Sequence, residues 1–323
     1  MFFTNRIANL VIGVSIQKFV MINFNWQIFL FTCFVWGMNI SSVNNSLTFG
    51  ANLNSPKLNF SKKDFYVRIK GYGKNKKWAN EIIQTANISV GFIRHHYDFE
   101  KVLRSIAYGV RRANKFTSDQ TKIAHTSALR IDRDGWRSPS RWKNFDLCTY
   151  YDGGKYKTYE KRIDEIKYNP LKNPYPDIDL TVPVFEEGEK FLQHGRKDVI
   201  ENVFNHLSEI YKEFSHFTKI DVQQEHLPKI NDQIATMRWI LAHATPWERG
   251  SDAIANVLMR AMYKSVGVKS YPLAKGVSLD MEAYCTNLAD YKKKFPKYFA
   301  KPPVVISNKK TSFLSKISSF FKS

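Results

Sequence analysis

A ten-residue segment, residues 243–252, holds the residue types best able to do chemistry. Its sequence, His-Ala-Thr-Pro-Trp-Glu-Arg-Gly-Ser-Asp, combines an imidazole, a hydroxyl, carboxylates and a guanidinium with a proline and a glycine. The candidates for acid–base or nucleophilic chemistry are His243, Thr245 and Glu248. The candidates for ligand binding are Arg249, Gly250 and Ser251. A helix that begins after a glycine presents unpaired N–H groups and a partial positive charge, which together can hold phosphate or carboxylate.

The same residues also fit an ordinary boundary between two helices. Asp252 places a negative charge where a bound anion would sit, and this suits capping of a helix start. His243 closes the preceding helix, where a cationic cap interacts favourably with the helix dipole. A threonine hydroxyl is a nucleophile only with a base beside it. The residues therefore leave two alternatives open, a ligand site and plain capping.

Two amphipathic helices must hold this segment in place. Pro228 suits the first turn of the first helix, whose apolar residues recur at three- and four-residue spacing: Ile230, Ile234, Met237, Ile240 and Leu241. The second helix is predicted over about residues 252–266, with Ser251 as its cap and Gly267 as its stop. The residues between them cannot be helical, because Pro246 disfavours helical backbone at Thr245 and Gly250 admits unusual dihedrals.

This helix–loop–helix resembles the core of Fic-type proteins and the wider Fido-like group. Their loop, His-Pro-Phe-x-x-Gly-Asn-Gly-Arg, joins two helices and cradles nucleotide phosphates, and Pro246, Trp247 and Gly250 stand at its Pro, Phe and first Gly. Thr245 stands at the catalytic His, and Ala253 at the phosphate-binding Arg. The resemblance implies a divergent relative, as among bacterial effector proteins, that binds a phosphate-bearing ligand or partner without standard nucleotidyl transfer. It makes a nucleotide the candidate cofactor and leaves catalysis undecided.

Residues 111–143 form a basic stretch interleaved with Trp136 and Trp142. The candidates for binding an anionic partner are Arg111, Arg112, Arg137, Arg141 and Lys143. Guanidinium groups beside indoles can grip phosphates while the rings stack on bases. The alternative is a solvated basic surface with both tryptophans packed inward. The nearby His and Asp residues match no known metal-binding loop, so no metal site is predicted.

Composition points to a globular protein with acidic partners. Lys and Arg total 49 against 29 for Asp and Glu, a net charge of +20, and 43% of residues are hydrophobic, enough for a sizeable core. This charge favours an acidic protein, a phosphate-bearing ligand, an anionic membrane or nucleic acid. The charge does not select among these partners.

The chain is predicted to comprise four segments. Residues 1–46 are a hydrophobic leader, whose apolar run 26–40 fits a signal peptide, with an uncleaved membrane anchor as the alternative. Residues 47–63 are a polar linker and residues 64–305 a helical domain. Residues 306–323 form an amphipathic basic tail that suits a membrane, a partner's groove or its own domain. Cys148 and Cys285 can form one disulfide or remain two thiols.

The predicted fold is mainly α (α+β), a multi-helix single domain with a small β-hairpin. A strand is expected over residues 65–69, a hairpin over 147–159, and a long connection or an edge segment over 167–185. The other predicted helices begin near Lys77, Phe99, Asp198 and Met281. The predicted function is that of an exported effector-like protein with a divergent Fido-like core. The alternative is a basic binding protein for anionic membranes or nucleic acid.

Overall fold

The computed structural model describes residues 58–66, 75–114, 149–152, 155–186, 189–196, 198–247 and 250–306. All of these belong to one unit of the chain, residues 54–323. The predicted leader, the tail beyond residue 306 and most of the basic stretch lie outside the described residues. So do Glu248, Arg249 and Cys148.

Eight α-helices form most of the described structure. They are α1 (Lys76–Arg94), α2 (Phe99–Ala113), α3 (Tyr159–Ile166), α4 (Ile200–Phe214), α5 (Leu227–Ala244), α6 (Ser251–Ser265), α7 (Leu279–Tyr284) and α8 (Leu288–Lys294). Short 3-10 helices span Lys62–Asp64, Ser215–Thr218, Gln224–His226 and Phe295–Tyr298. Within the described residues, no helix is long and apolar enough to cross a bilayer.

Three antiparallel strand pairs complete the described structure. They are β1 (Thr149–Asp152) with β2 (Lys155–Thr158), β3 (Val182–Glu186) with β4 (Glu189–Gln193), and β5 (Val268–Lys269) with β6 (Val304–Val305). In the second pair Val182 lies opposite Gln193, so the residues just outside this hairpin, Thr181 and His194, are brought side by side.

Helix α5 lies at the centre of the core. Nearly every residue from Ile230 to Ala244 is buried, including Trp239 and Ile240. Helices α4, α6, α7 and α8 all pack against it, and α6 in turn packs on α1. A helix that is buried on nearly all sides is surrounded by other elements, so the segment that follows α5 is held by the core of the protein.

The mainly helical fold with small β elements is confirmed. The two helices around residues 245–250 form as predicted, with Pro228 in the first turn of α5. The helices predicted near Lys77, Phe99 and Asp198 correspond to α1, α2 and α4, and the predicted hairpin corresponds to β1 and β2.

Three local expectations differ from the structure. Phe65 and Tyr66, expected to begin a strand, form a turn after a 3-10 helix, because the Asp64 carboxylate accepts a hydrogen bond from Ser61 N at 2.6 Å and closes that turn. The end of the expected connection 167–185 pairs as β3. The single helix expected from Met281 is broken into α7 and α8, where Trp239 Nε1 donates to the carbonyl of Thr286 at 2.9 Å.

Candidate functional site

The corner between α5 and α6 contains an unusual backbone conformation at Thr245. This residue has φ 38° and ψ 57°, in the left-handed region, and its N–H donates to the carbonyl of Leu241 at 3.0 Å. Glycine usually occupies such a helix end, since a β-branched residue there costs about 1–2 kcal/mol. Pro246 follows and prevents the helix from continuing. The surrounding contacts must therefore hold Thr245 in place.

A buried hydrogen-bond network joins this corner to the β3–β4 hairpin. His194 Nδ1 lies 2.9 Å from Thr245 Oγ1 and 3.0 Å from Thr181 Oγ1. The Thr181 hydroxyl donates to the carbonyl of His243, at the end of α5. All three side chains are at most 4% exposed. The network ties the base of the hairpin to the last turn of α5 and thereby positions Thr245.

The direction of the hydrogen bonds around His194 determines whether its imidazole can accept a proton from Thr245. The single hydroxyl hydrogen of Thr181 goes to the His243 carbonyl, so its contact with His194 requires that Nδ1 carry a proton. A protonated Nδ1 cannot take a proton from Thr245. The imidazole that nucleophilic chemistry requires is thus adjacent, but it acts as a donor in this arrangement. A catalytic role of Thr245 stays a prediction.

His243 is completely buried. Its ring packs between Trp239 and Tyr284, with centroid distances of 4.2 and 5.6 Å, and its Nε2 lies 3.2 Å from the carbonyl of Ala283. Burial lowers the pKa of His243 to about 4, so the imidazole is neutral at neutral pH. The interpretation as a cationic cap is therefore wrong, because desolvation outweighs the helix dipole. Its burial also removes His243 from contact with a ligand.

The start of α6 differs from the predicted cap. Gly250, with φ 88°, precedes the helix, and Ser251 is its first residue. The Ser251 hydroxyl donates to the carbonyl of Trp247 at 3.0 Å and accepts from the N–H of the same residue at 3.2 Å. Its hydroxyl thus closes the loop onto the helix. Gly250 and Ser251 are half-buried and stay predicted ligand-binding residues.

Arg238 is a buried cation of α5 that binds two carboxylates beside the corner. This buried guanidinium binds Asp280 at 2.6 Å and also binds Asp252 in the first turn of α6. Burial would lower the pKa of Arg238, but the two carboxylates raise it above its ordinary value. Arg238 thus joins α5 to the first turns of α6 and α7. Arg249, the predicted anion-binding cation, lies outside the described residues.

A second ionic network fixes α7, the helix that carries Asp280. Arg162 of α3 donates to both carboxylate oxygens of Glu282, at 2.9 and 3.0 Å. The Tyr159 hydroxyl donates to the same carboxylate at 2.7 Å. Burial and the charge of Glu282 raise the pKa of Tyr159 well above its ordinary value. The bidentate pair is a structural link that holds α3 against α7.

Exposed lysines line the ribbon formed by residues 267–277 and 295–306, here called the C-terminal ribbon. Its two segments pair through β5 and β6 and through hydrogen bonds of 2.8 Å from Ala274 N to Tyr298 O and from Ala300 N to Pro272 O. Neither segment contains Asp or Glu. The exposed lysines are Lys269, Lys275, Lys297 and Lys301. Their sequence signal is two segments without Asp or Glu, separated by residues 278–294. These lysines were not among the predicted site residues, because the two segments are paired only in the folded chain.

The predicted anion-binding arginines are only partly described. Arg111 is 1% exposed on the inner face of α2, so it is not available to a surface partner, contrary to the expectation. Arg112, the next residue, is exposed, with its guanidinium 5.8 Å from the ring centre of Tyr108. Arg137, Arg141 and Lys143 lie outside the described residues.

Of the two cysteines that could form a disulfide, Cys285 has a free thiol. Cys148 lies outside the described residues.

The region that contains the corner and most of the C-terminal ribbon is similar to a known protein family. Residues 171–302 match the AvrB_AvrC family of avirulence proteins. This match spans less than half of the chain and supports the expectation of an effector-type protein. No Fic or Fido family matches, so the predicted resemblance to that group is wrong. It depended on three loop positions, and a proline and glycine at a helix–helix corner serve ordinary turn geometry equally well.

The AvrB_AvrC match includes most of the features described above. Thr181, His194, Thr245 and Arg238 lie within it, together with nearly all of the C-terminal ribbon. No curated protein matches the chain.

Proposed function

We propose that this chain is an effector-type protein, exported from the cell that makes it, that acts by binding an acidic protein through the C-terminal ribbon. The similarity of residues 171–302 to avirulence proteins supports the effector part. The excess of basic residues, a net charge of +20, supports a negatively charged partner. The ribbon supplies exposed positive charge in Lys269, Lys297 and Lys301.

The acid-free composition of the ribbon is the observation that carries this proposal. Lys292, just before the ribbon, is paired with Asp232 at 2.8 Å. No such salt bridge exists for Lys269, Lys297 or Lys301 among the described residues. Positive side chains without carboxylates beside them steer an acidic partner towards that surface and give it pairs to form.

The ribbon favours a protein over the other anionic partners. Tyr271 is half-buried, and Lys269 Nζ and Lys301 Nζ lie 5.1 and 5.9 Å from its ring centre. The ring is therefore engaged by cations, which leaves it a poor platform for stacking of a nucleic-acid base. The apolar Phe295 and Phe299 are buried in the core, so they are not available to enter a membrane. A short segment rich in Asp or Glu fits this surface best.

The test is salt-dependent binding of the full chain to poly-glutamate peptide. A triple variant, Lys269→Glu with Lys297→Glu and Lys301→Glu, should weaken binding at low salt by roughly threefold to a hundredfold, since each exposed ion pair contributes about 0.2–1 kcal/mol. The matched control makes the same charge change elsewhere on the described surface, at Lys63, Lys76 and Lys229.

The comparison of the two triple variants decides the proposal. Weaker binding by the ribbon variant alone supports it. Equal weakening by both would show that net charge, not the ribbon, binds the peptide. Anionic vesicles and single-stranded RNA serve as the other arms, and tighter ribbon-dependent binding to either would overturn the assignment to an acidic protein.

A further inference from the structure

Arg260 on α6 is a fully buried cation that lies beneath the C-terminal ribbon. Its Nη1 donates to the carbonyl of Tyr271, and its guanidinium carbon lies 5.3 Å from the ring centre of Phe299. Its Nε and Nη2 have no hydrogen-bond acceptor among the described residues. One edge of the guanidinium thus contacts the ribbon, and another carries N–H groups without a partner.

The two unpaired nitrogens lie on the same edge of the guanidinium plane. Nε and Nη2 present parallel N–H groups, the geometry with which arginine binds two oxygens of one carboxylate or phosphate. A buried charge without a partner is strongly destabilising. Burial lowers the pKa of Arg260 to about 10, well above neutral pH, so the side chain remains charged.

The charged group that acts on Arg260 most strongly is the carboxylate of Asp64, which opposes the effect of burial on its pKa. Lys264 lies one turn further along α6, and Arg94 of α1 donates to the carbonyls of Lys264 and Ser265 at 3.2 and 3.1 Å. Burial and the charge of Arg94 lower the pKa of Lys264 to about 8. Asp64 is the carboxylate that acts on Arg260 and Lys264, and its Oδ2 is engaged by Ser61 N. One carboxylate therefore serves both Arg260 and Lys264.

We propose that the Nε and Nη2 edge of Arg260 binds a small oxyanion, a free carboxylate or phosphate group, next to Asp64. The oxyanion supplies the acceptors that Nε and Nη2 lack among the described residues. Bound there, it joins α6, the turn at Lys62–Asp64 and the base of the ribbon, because Arg260 also holds the Tyr271 carbonyl. The proposal is independent of what binds at the ribbon surface.

Thermal unfolding of the full chain tests this site. Sodium formate and sodium phosphate are titrated separately at constant ionic strength, with chloride as the balancing salt. The bound anion should raise Tm by roughly 3 °C for each tenfold increase in concentration above its Kd. The effective anion identifies the class, since formate represents carboxylates. A Tm that follows ionic strength alone overturns the proposal.

Two variants show where the anion acts. Arg260→Lys keeps the charge but loses the paired N–H groups, and it should abolish the response. Arg94→Lys is the matched control, since the Arg94 guanidinium already has backbone acceptors, and it should retain the response. If Asp64 is itself the counter-ion of Arg260 in solution, the wild-type chain will show no response and Asp64→Asn will gain one, which refutes the proposal.

Discussion

The buried imidazole of His243 predicts a loss of stability in mild acid. Its pKa is about 4 in the folded protein against an ordinary value of 6.5, so between these values the unfolded chain binds more protons. Stability therefore rises with pH in this window and is lost as pH falls from 6.5 towards 4. Between about pH 7.5 and pH 5 this one group should lower the free energy of unfolding by about 2 kcal/mol.

Replacement of His243 by phenylalanine isolates this effect. The ring keeps its packing between Trp239 and Tyr284, loses one hydrogen bond to Ala283, and removes a buried Nδ1 that has no partner among the described residues. These changes oppose each other, so at pH 7.5 the variant should lie within about 1 kcal/mol of the wild type. The free energy of unfolding of the variant relative to the wild type should be about 2 kcal/mol higher at pH 5 than at pH 7.5.

Urea unfolding followed by circular dichroism at both pH values measures this double difference. Other titrating groups change the free energy of unfolding of both proteins equally, so their contribution cancels in the difference. His216→Gln, at an exposed histidine, is the control and should keep the wild-type dependence on pH. If His243→Phe loses as much stability between pH 7.5 and 5 as the wild type does, the imidazole is not buried and neutral as described.

Three further substitutions test the packing and the ionic network. Gly109→Ala should destabilise the protein by about 1–3 kcal/mol, because its Cβ would lie 2.3 Å from Thr85 Oγ1 between α1 and α2. Gly91→Ala, the matched control with nothing within 4 Å, should instead stabilise it by about 0.5–1 kcal/mol. Arg162→Met should cost about 3–5 kcal/mol by leaving the buried Glu282 without its cation. Urea unfolding at neutral pH measures all three, and a neutral Arg162→Met would contradict the ionic link.

Local patterns predicted most helices and the β1–β2 hairpin, but not the other short elements. The spacing of Ile230, Ile234 and Met237 is enough to indicate a helix, because one turn brings such residues to one face. Phe65 and Tyr66, expected to begin a strand, form a turn, because alternation over a few residues does not exclude a turn and Asp64 closes one there. The β3–β4 hairpin was missed because Pro183 lies within the first strand, and a proline argues against a strand in a sequence pattern.

The candidate site was predicted only in part. Pro246 and Gly250 correctly marked the corner, since both restrict the backbone locally. The partner of Thr245, His194, is 51 residues away, and no spacing rule connects them. The apparent match of the corner to Fic-type loops failed because a turn constrains residue types without specifying a function.

The sequence by itself determined the helical periods, the position of the corner and the excess of positive charge, because these depend on near neighbours or on composition alone. The tertiary structure decided which of the charged and polar groups are buried and which contact each other. His243 is neutral because other helices exclude water from it, and Arg238 is a core cation because Asp252 and Asp280 meet it. The C-terminal ribbon is a single basic surface only because the chain returns after α8 to pair its two segments. Burial and long-range pairing set the charge and accessibility of a side chain, and neither is encoded at the residue itself.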